Sequence, residues 1–196
     1  MDKLQPRRTA PLVTILLLWG LLAAAFVFSP YKRQAGFAYP VLIQSIDIAA
    51  GADSAFAYLG DSRHAGQWYK FVDHVSLLNA DSVPDGATGS RRRCFCKRDE
   101  SGRRWDETVL ESVPGRLRRF ALHDMVGFSA ASRHLATDQI YTSLPGGRCR
   151  LTFTLYFTSA KPDWKESFTL YFAAYAVKNI FVRNLGEIKR ILETGA

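Results

Sequence analysis

Residues 148–194 read RCRLTFTLYFTSAKPDWKESFTLYFAAYAVKNIFVRNLGEIKRILET, and the change of period inside this stretch decides the fold. From Arg148 to Thr158 the residues alternate. Leu151, Phe153, Leu155 and Phe157 fall on one face, and Arg150, Thr152, Thr154 and Tyr156 on the other. A period of two with one apolar side marks a strand that covers a core with one face. After Pro162 the period lengthens. Leu170, Ala174, Val177, Phe181, Leu185, Ile188 and Leu192 recur at steps of three and four, a continuous apolar stripe along one helix. Pro162 suits the first turn, Asp163 complements the positive end, and Lys189 and Arg190 lie near the other end. Thr169, Lys178, Asn179 and Arg183 interrupt the run, so the reading is a buried helix and not a membrane span.

Upstream, Val41–Ile48 reads as a strand rich in β-branched residues. Ala49–Ala52 breaks it. Asp53 is the expected N-cap of a short helix, Ser54 to Leu59, stopped by Gly60, and a second short helix runs near Ser62 to Gln67. Strands are expected over Phe71–Asn79, Ser90–Arg98, Arg103–Val113, Arg116–Asp124 and Thr137–Leu144, separated by turn residues such as Pro84-Asp85-Gly86, Pro114-Gly115 and Pro145-Gly146-Gly147. Met125 to Arg133 reads as a loop. The order predicts an α+β domain: a curved antiparallel sheet of about seven strands, two short helices after the first strand, and a long C-terminal helix across the concave face. A sheet curled around a helix without filling the space leaves a hollow.

Ala10 to Phe28, APLVTILLLWGLLAAAFVF, carries no charge and would span ~28 Å as a helix. It is followed by Pro30 and the basic pair Lys32-Arg33, which favours an uncleaved transmembrane anchor over a cleaved signal peptide. The expected division is a basic flank over residues 1–9, an anchor over 10–29, a linker over 30–38 and a ligand-binding domain over 39–196. The slight N-terminal excess of positive charge places that domain outside the cytoplasm. Of the formal net charge of +8, half falls in residues 1–33; residues 91–119 hold ten basic and five acidic groups. Basicity this local is not a nucleic-acid signal, and none is expected as partner. The functional reading of Arg91, Arg92, Arg93, Arg98, Arg103, Arg104, Arg116, Arg118 and Arg119 is contact with anionic lipid headgroups; the competing one is a solvated sheet face. Cys94, Cys96 and Cys149 form no disulfide framework, and the four histidines lack metal-ligand spacing, so neither metal nor cofactor is expected.

The run Val41…Ile48, then Ala49-Ala50-Gly51-Ala52-Asp53-Ser54-Ala55-Phe56-Ala57-Tyr58-Leu59 and Trp68, resembles the opening of the START-like (SRPBCC) superfamily of Bet v 1-type proteins, polyketide cyclases and coenzyme-Q-binding proteins. Gly89 to Arg93, Gly102, Trp105, Glu107 and Pro114-Gly115-Arg116-Leu117 are similar in the middle, as is Asn184 to Glu193 at the end. The resemblance covers roughly residues 40–194. It implies a helix-grip fold with a deep cavity for lipids, polyketides or similar molecules, and no single activity. It also implies that Glu107 turns into the cavity, where it would orient a polar group or act as an acid or base; the alternative is an ion pair with Arg92 or Arg119.

The expected cavity lining is Trp68, Cys94, Cys96, Glu107, Val109, Tyr141, Leu151, Phe153 and Leu155, with Phe172, Val177 and Phe181 from the long helix. Their competing reading is ordinary core. Phosphate loops, nucleophile elbows and dinucleotide fingerprints are missing from the sequence. The first functional expectation is a membrane-tethered protein that sequesters a hydrophobic small molecule or lipid, gated by the long helix and the loops near Gly60 and Met125–Arg133. The alternatives are a polyketide cyclase or dehydratase using Glu107, and a protein-interaction module.

Overall fold

The computed structural model describes residues 9–128, 134–158 and 163–195, with the side chains of the first helix from residue 13 onward. Residues 1–8 of the expected basic flank, Pro162, and residues 129–133 of the expected gate loop lie outside the described residues.

Among the described residues one antiparallel sheet has seven strands: β1 Val41–Ile48, β2 His74–Leu77, β3 Arg91–Phe95, β4 Arg104–Val113, β5 Leu117–Val126, β6 Leu135–Leu144 and β7 Arg148–Phe157. The order across it is β1-β7-β6-β5-β4-β3-β2. Every neighbour except the β1–β7 pair follows in sequence, so the chain runs as a meander whose first strand closes against its last. Pairing is in register with the alternation: Leu42 faces Leu155 and Ile46 faces Leu151. The apolar sides of both strands therefore share the concave face.

The helix α4, Trp164–Thr194, lies on that face. Its start is fixed by a capping box. The Asp163 side chain accepts the Glu166 backbone N–H while the Glu166 carboxylate accepts that of Asp163. Leu170, Ala174, Phe181, Leu185 and Ile188 of the stripe are buried against the sheet. Gly195 ends the helix in the left-handed conformation at φ 66°.

Between β1 and β2 come α2 (Ala52–Gly60), a 3₁₀ turn (Ser62–His64) and α3 (Ala65–Trp68). The helix α2 starts two residues earlier than expected. Its N-cap is Gly51, which offers no side-chain bond, and Asp53 sits in the first turn. Asp61 caps the 3₁₀ turn instead, accepting the Arg63 backbone N–H. The expected loop from Met125 begins later, because β5 continues to Val126.

The N-terminal anchor is corrected. Among the described residues no helix is long and apolar enough to cross a membrane, so a single-pass membrane protein is not supported. The helix α1 spans Thr9–Val27. Its last turn is committed to the domain. Phe26 packs on Phe168, Tyr171 and Phe172 of α4 at centroid distances of 5.0–5.4 Å. Tyr175 Oη donates to the Ala25 carbonyl and Ser29 Oγ to that of Tyr171. Tyr31, buried, continues this seam against Tyr171.

Candidate functional site: a cavity between the sheet and the long helix

The alternation that builds the concave face also builds a void. A cavity of about 300 Å³ lies between β4–β7 and the first half of α4. Its walls include Trp105, Leu122, Leu135 and Leu155 from the strands, with Leu170, Val177, Ile180 and Phe181 from the helix. The helix also contributes the small residues Ala173 and Ala176 to this lining. The volume is at the lower end of the range typical of small-molecule sites.

Phe71, Arg103, Met125 and Phe128 also line this cavity. Arg103 is exposed, and its guanidinium lies 4.6 Å from the Phe71 ring centroid and 6.0 Å from that of Phe128. The rings hold the cation by their negative faces.

Beyond the walls shared through Tyr69, Thr137 and Phe181, a much smaller pocket of about 20 Å³ forms the floor. Its other lining residues are Trp68, Arg92, Glu107, Phe120, Gln139, Phe153 and Asn184. Here the register puts Arg92 of β3 directly opposite Glu107 of β4. Arg92 Nε donates to Glu107 Oε2 at 2.7 Å, and its second nitrogen lies 2.6 Å from the same oxygen. Trp105 Nε1 donates to Glu107 Oε1 at 2.9 Å. The guanidinium also lies 4.6 Å over the Phe120 ring. Burial acts to lower the Arg92 pKa, but the Glu107 carboxylate outweighs it, and the net shift is upward. Burial, with the Glu107 charge, pushes the neighbouring Tyr69 phenol well up.

Gln139 of the floor accepts a hydrogen bond from Tyr141 Oη at 2.8 Å. Burial raises the Tyr141 pKa. Arg118 is buried beside this pair. Its nitrogens donate to the Gly86 and Phe56 carbonyls, and its guanidinium stacks 3.9 Å over the Phe56 ring. Burial lowers its pKa. A separate groove of about 600 Å³ is lined by Gly60, Asp61, Ser62, Arg63, Asp85 and Arg118.

The sequence-derived lining residues divide as follows. Val177 and Leu155 line the cavity, Trp68, Glu107 and Phe153 line the floor, and Phe181 lines both. Cys94, Val109, Tyr141 and Leu151 are buried elsewhere in the core, and Cys96 is half-buried. Phe172 points away, half-exposed beside Phe26. Sequence reasoning missed Ala173, Ala176 and Asn184, and it assigned Arg103 to a headgroup-binding cluster and Phe128 to a gate loop instead of the lining. Trp105 stood on the same strand face as Glu107, and that parity was signal enough to include it.

The arginines do not form one patch, because neighbours in a strand face opposite ways. Arg92 and Arg118 point inward. Arg93 pairs with Asp106 at 2.7 Å and Arg119 with Asp138 at 2.9 Å on the outer face. Asp106, His123 and Asp124 bring ligand-type atoms within 4.8 Å of one another. Protein partners already engage all three: Asp106 is held by Arg93, and His123 bonds Thr108 and Asp124.

A helix gripped by a seven-stranded sheet around a hollow is the architecture that the sequence resemblance implied. A family model described as polyketide cyclase / dehydrase and lipid transport matches residues 42–193. The chain belongs to this family. The aromatase/cyclase Zhui from Streptomyces sp. R1128 is similar in structure, with a TM-score of 0.58 at 14% identity over 80% of this chain and 97% of the other. Norcoclaurine synthase from Thalictrum flavum, solved with dopamine and hydroxybenzaldehyde, has a TM-score of 0.57 at 11% identity, covering 77% and 84%. A protein from Chromobacterium violaceum has a TM-score of 0.55 at 13% identity, covering 78% and 96%. No curated protein matches the chain. At these identities the likeness establishes the helix-grip fold; what each of those proteins binds or catalyses belongs to it alone.

Proposed function

We propose that this family member binds an apolar small molecule or lipid in the cavity between the sheet and α4. The observation that carries the reading is the void of about 300 Å³ walled by Trp105, Leu122, Leu155 and Val177. Burying an apolar guest there removes its surface from water at about 25 cal/mol per Å². Arg103 stands at the edge and suits a guest with an electron-rich or anionic outer end. Glu107 serves as a structural anchor of the floor, since both its oxygens accept short bonds from Arg92 and Trp105. That arrangement favours holding a molecule over transferring a proton.

The test is a fluorescence titration of the full chain with N-phenyl-1-naphthylamine, paired with Ala173→Trp. Ala173 faces the void, and an indole there would occupy much of it. Wild type should show saturable one-to-one binding, and the variant should lose roughly tenfold or more in affinity while melting close to wild type. Equal binding by the two proteins would place the probe elsewhere and end the reading.

A further inference from the structure

Three separate segments of the chain bring side chains to one side of the cavity. Phe71 lies between α3 and β2, Arg103 ends the connection from β3 to β4, and Phe128 follows β5. All three line the cavity around Trp105. The Phe71 and Phe128 centroids are 6.1 Å apart, and they lie 6.3 and 5.8 Å from the indole. Trp105 is a fixed wall: it is 4% exposed and its N–H is held by Glu107. The two phenyl rings are only half-buried and Arg103 is exposed, whereas the deeper walls Leu122, Leu135, Leu155 and Leu170 are buried. On the helix, Ala176 is exposed and Ile180 half-buried. The lining therefore meets solvent along these two rims, one on α4 and one at the Phe71–Arg103–Phe128 cluster.

Arg103 is placed to bridge its rim. Its backbone is fixed, since its carbonyl accepts the Cys96 N–H at 3.1 Å. Its guanidinium makes no hydrogen bond or ion pair among the described residues, and its contacts are the Phe71 ring at 4.6 Å and the Phe128 ring at 6.0 Å. Gly127 leaves room for the arginine stem. It holds φ at +77°, and a Cβ there would lie 2.9 Å from Arg103 Cγ.

We propose that Arg103 is the latch of the cavity mouth: its guanidinium ties the Phe71 and Phe128 rings together, and a guest passes when that tie parts. This rests on the cavity-binding reading above and adds control of access to it. An exposed cation on two aromatic faces is a weak, reversible bond, which suits a part that must open often. The rings it joins sit on connecting segments, and the wall behind them stays in place. A latch also differs kinetically from a wall. A wall residue touches the bound guest, so its loss speeds dissociation alone. A latch is shut in both the empty and the occupied protein, so its loss speeds entry and exit alike and leaves the affinity where it was.

The test is stopped-flow fluorescence of the full chain with N-phenyl-1-naphthylamine, an uncharged probe that makes no ion pair with Arg103. Arg103→Gln removes the cation from an exposed position. It should raise the association and dissociation rate constants together, by about threefold or more, with Kd within about twofold of wild type. Arg103→Lys keeps a cation without the planar face and should fall between the two. A faster dissociation with unchanged association would make Arg103 a wall and overturn the latch. Rates unchanged in both variants would overturn it as well, and place the entrance elsewhere while the cavity reading stands. No binding by the wild-type protein would remove the cavity reading, and the latch with it.

Discussion

Glu107→Gln is the perturbation that best tests how the floor is held together. The carboxylate accepts Arg92 Nε at 2.7 Å and Trp105 Nε1 at 2.9 Å, and lies 2.6 Å from a second Arg92 nitrogen. Its exposure is 2% and that of Arg92 is 4%. A glutamine keeps the shape but removes the charge and turns an N–H toward groups that are themselves donors. Stripping one partner from a buried pair costs about 3–5 kcal/mol, because the surviving charge stays desolvated. At about 2–4 °C per kcal/mol for a chain of this size, the melting temperature should fall by roughly 6–20 °C. Thermal unfolding followed by circular dichroism reads this directly. The combined Arg92→Met, Glu107→Leu variant, which removes both charges, should recover most of the loss, apart from about 1–3 kcal/mol for the abandoned Trp105 N–H. A Glu107→Gln protein melting within about 2 °C of wild type would refute the claim that this pair is desolvated and mutually dependent.

Other consequences are simpler to check. The Asp61 pKa is lowered from 3.8 to about 2, first by its side-chain bond to Arg63. Its contribution is therefore present above pH 3.8 and lost as the pH falls toward 2, so acid titration should erase the stability gap between wild type and Asp61→Asn over that window. The gap itself should be small, since Arg63 is 88% exposed and water screens the pair. Gly86 holds φ at +72°, and a Cβ there would lie 2.7 Å from the Gly60 carbonyl oxygen; Gly86→Ala should lower urea stability by about 1–2 kcal/mol or more. Burial pushes the Cys94 thiol well up and raises that of Cys149, both at 0% exposure, while Cys96 is half-buried. A thiol reagent should modify Cys96 in the native protein and all three after unfolding.

The fold was legible where one period dominates a long stretch. The β7 alternation and the α4 stripe, seen in Leu170, Ala174, Phe181, Leu185 and Ile188, read the same way in sequence and in structure. The arginines were harder to read, although the information was present. Arg92 and Arg93 cannot share a face of one strand, so a single basic patch was never available, and parity alone predicts an inward Arg92 opposite Glu107. Asn184 was not readable. A polar residue beside an apolar stripe looks solvated, and nothing local says that the backbone N–H of Lys70, 114 positions away, claims its oxygen. The α1 segment shows the limit of composition. Hydropathy treats Phe26 as membrane-facing, whereas aromatic contacts with Phe168, Tyr171 and Phe172 seat it on α4. Ala173 is a small residue in the lining, and its place there shows only when the opposite wall is present.

Crystals of the full chain equilibrated under xenon would interrogate the void itself. The account predicts xenon density in contact with Trp105, Leu122, Leu155 and Val177, the apolar walls of the cavity. Side chains filling that space, with no xenon between sheet and helix, would contradict it.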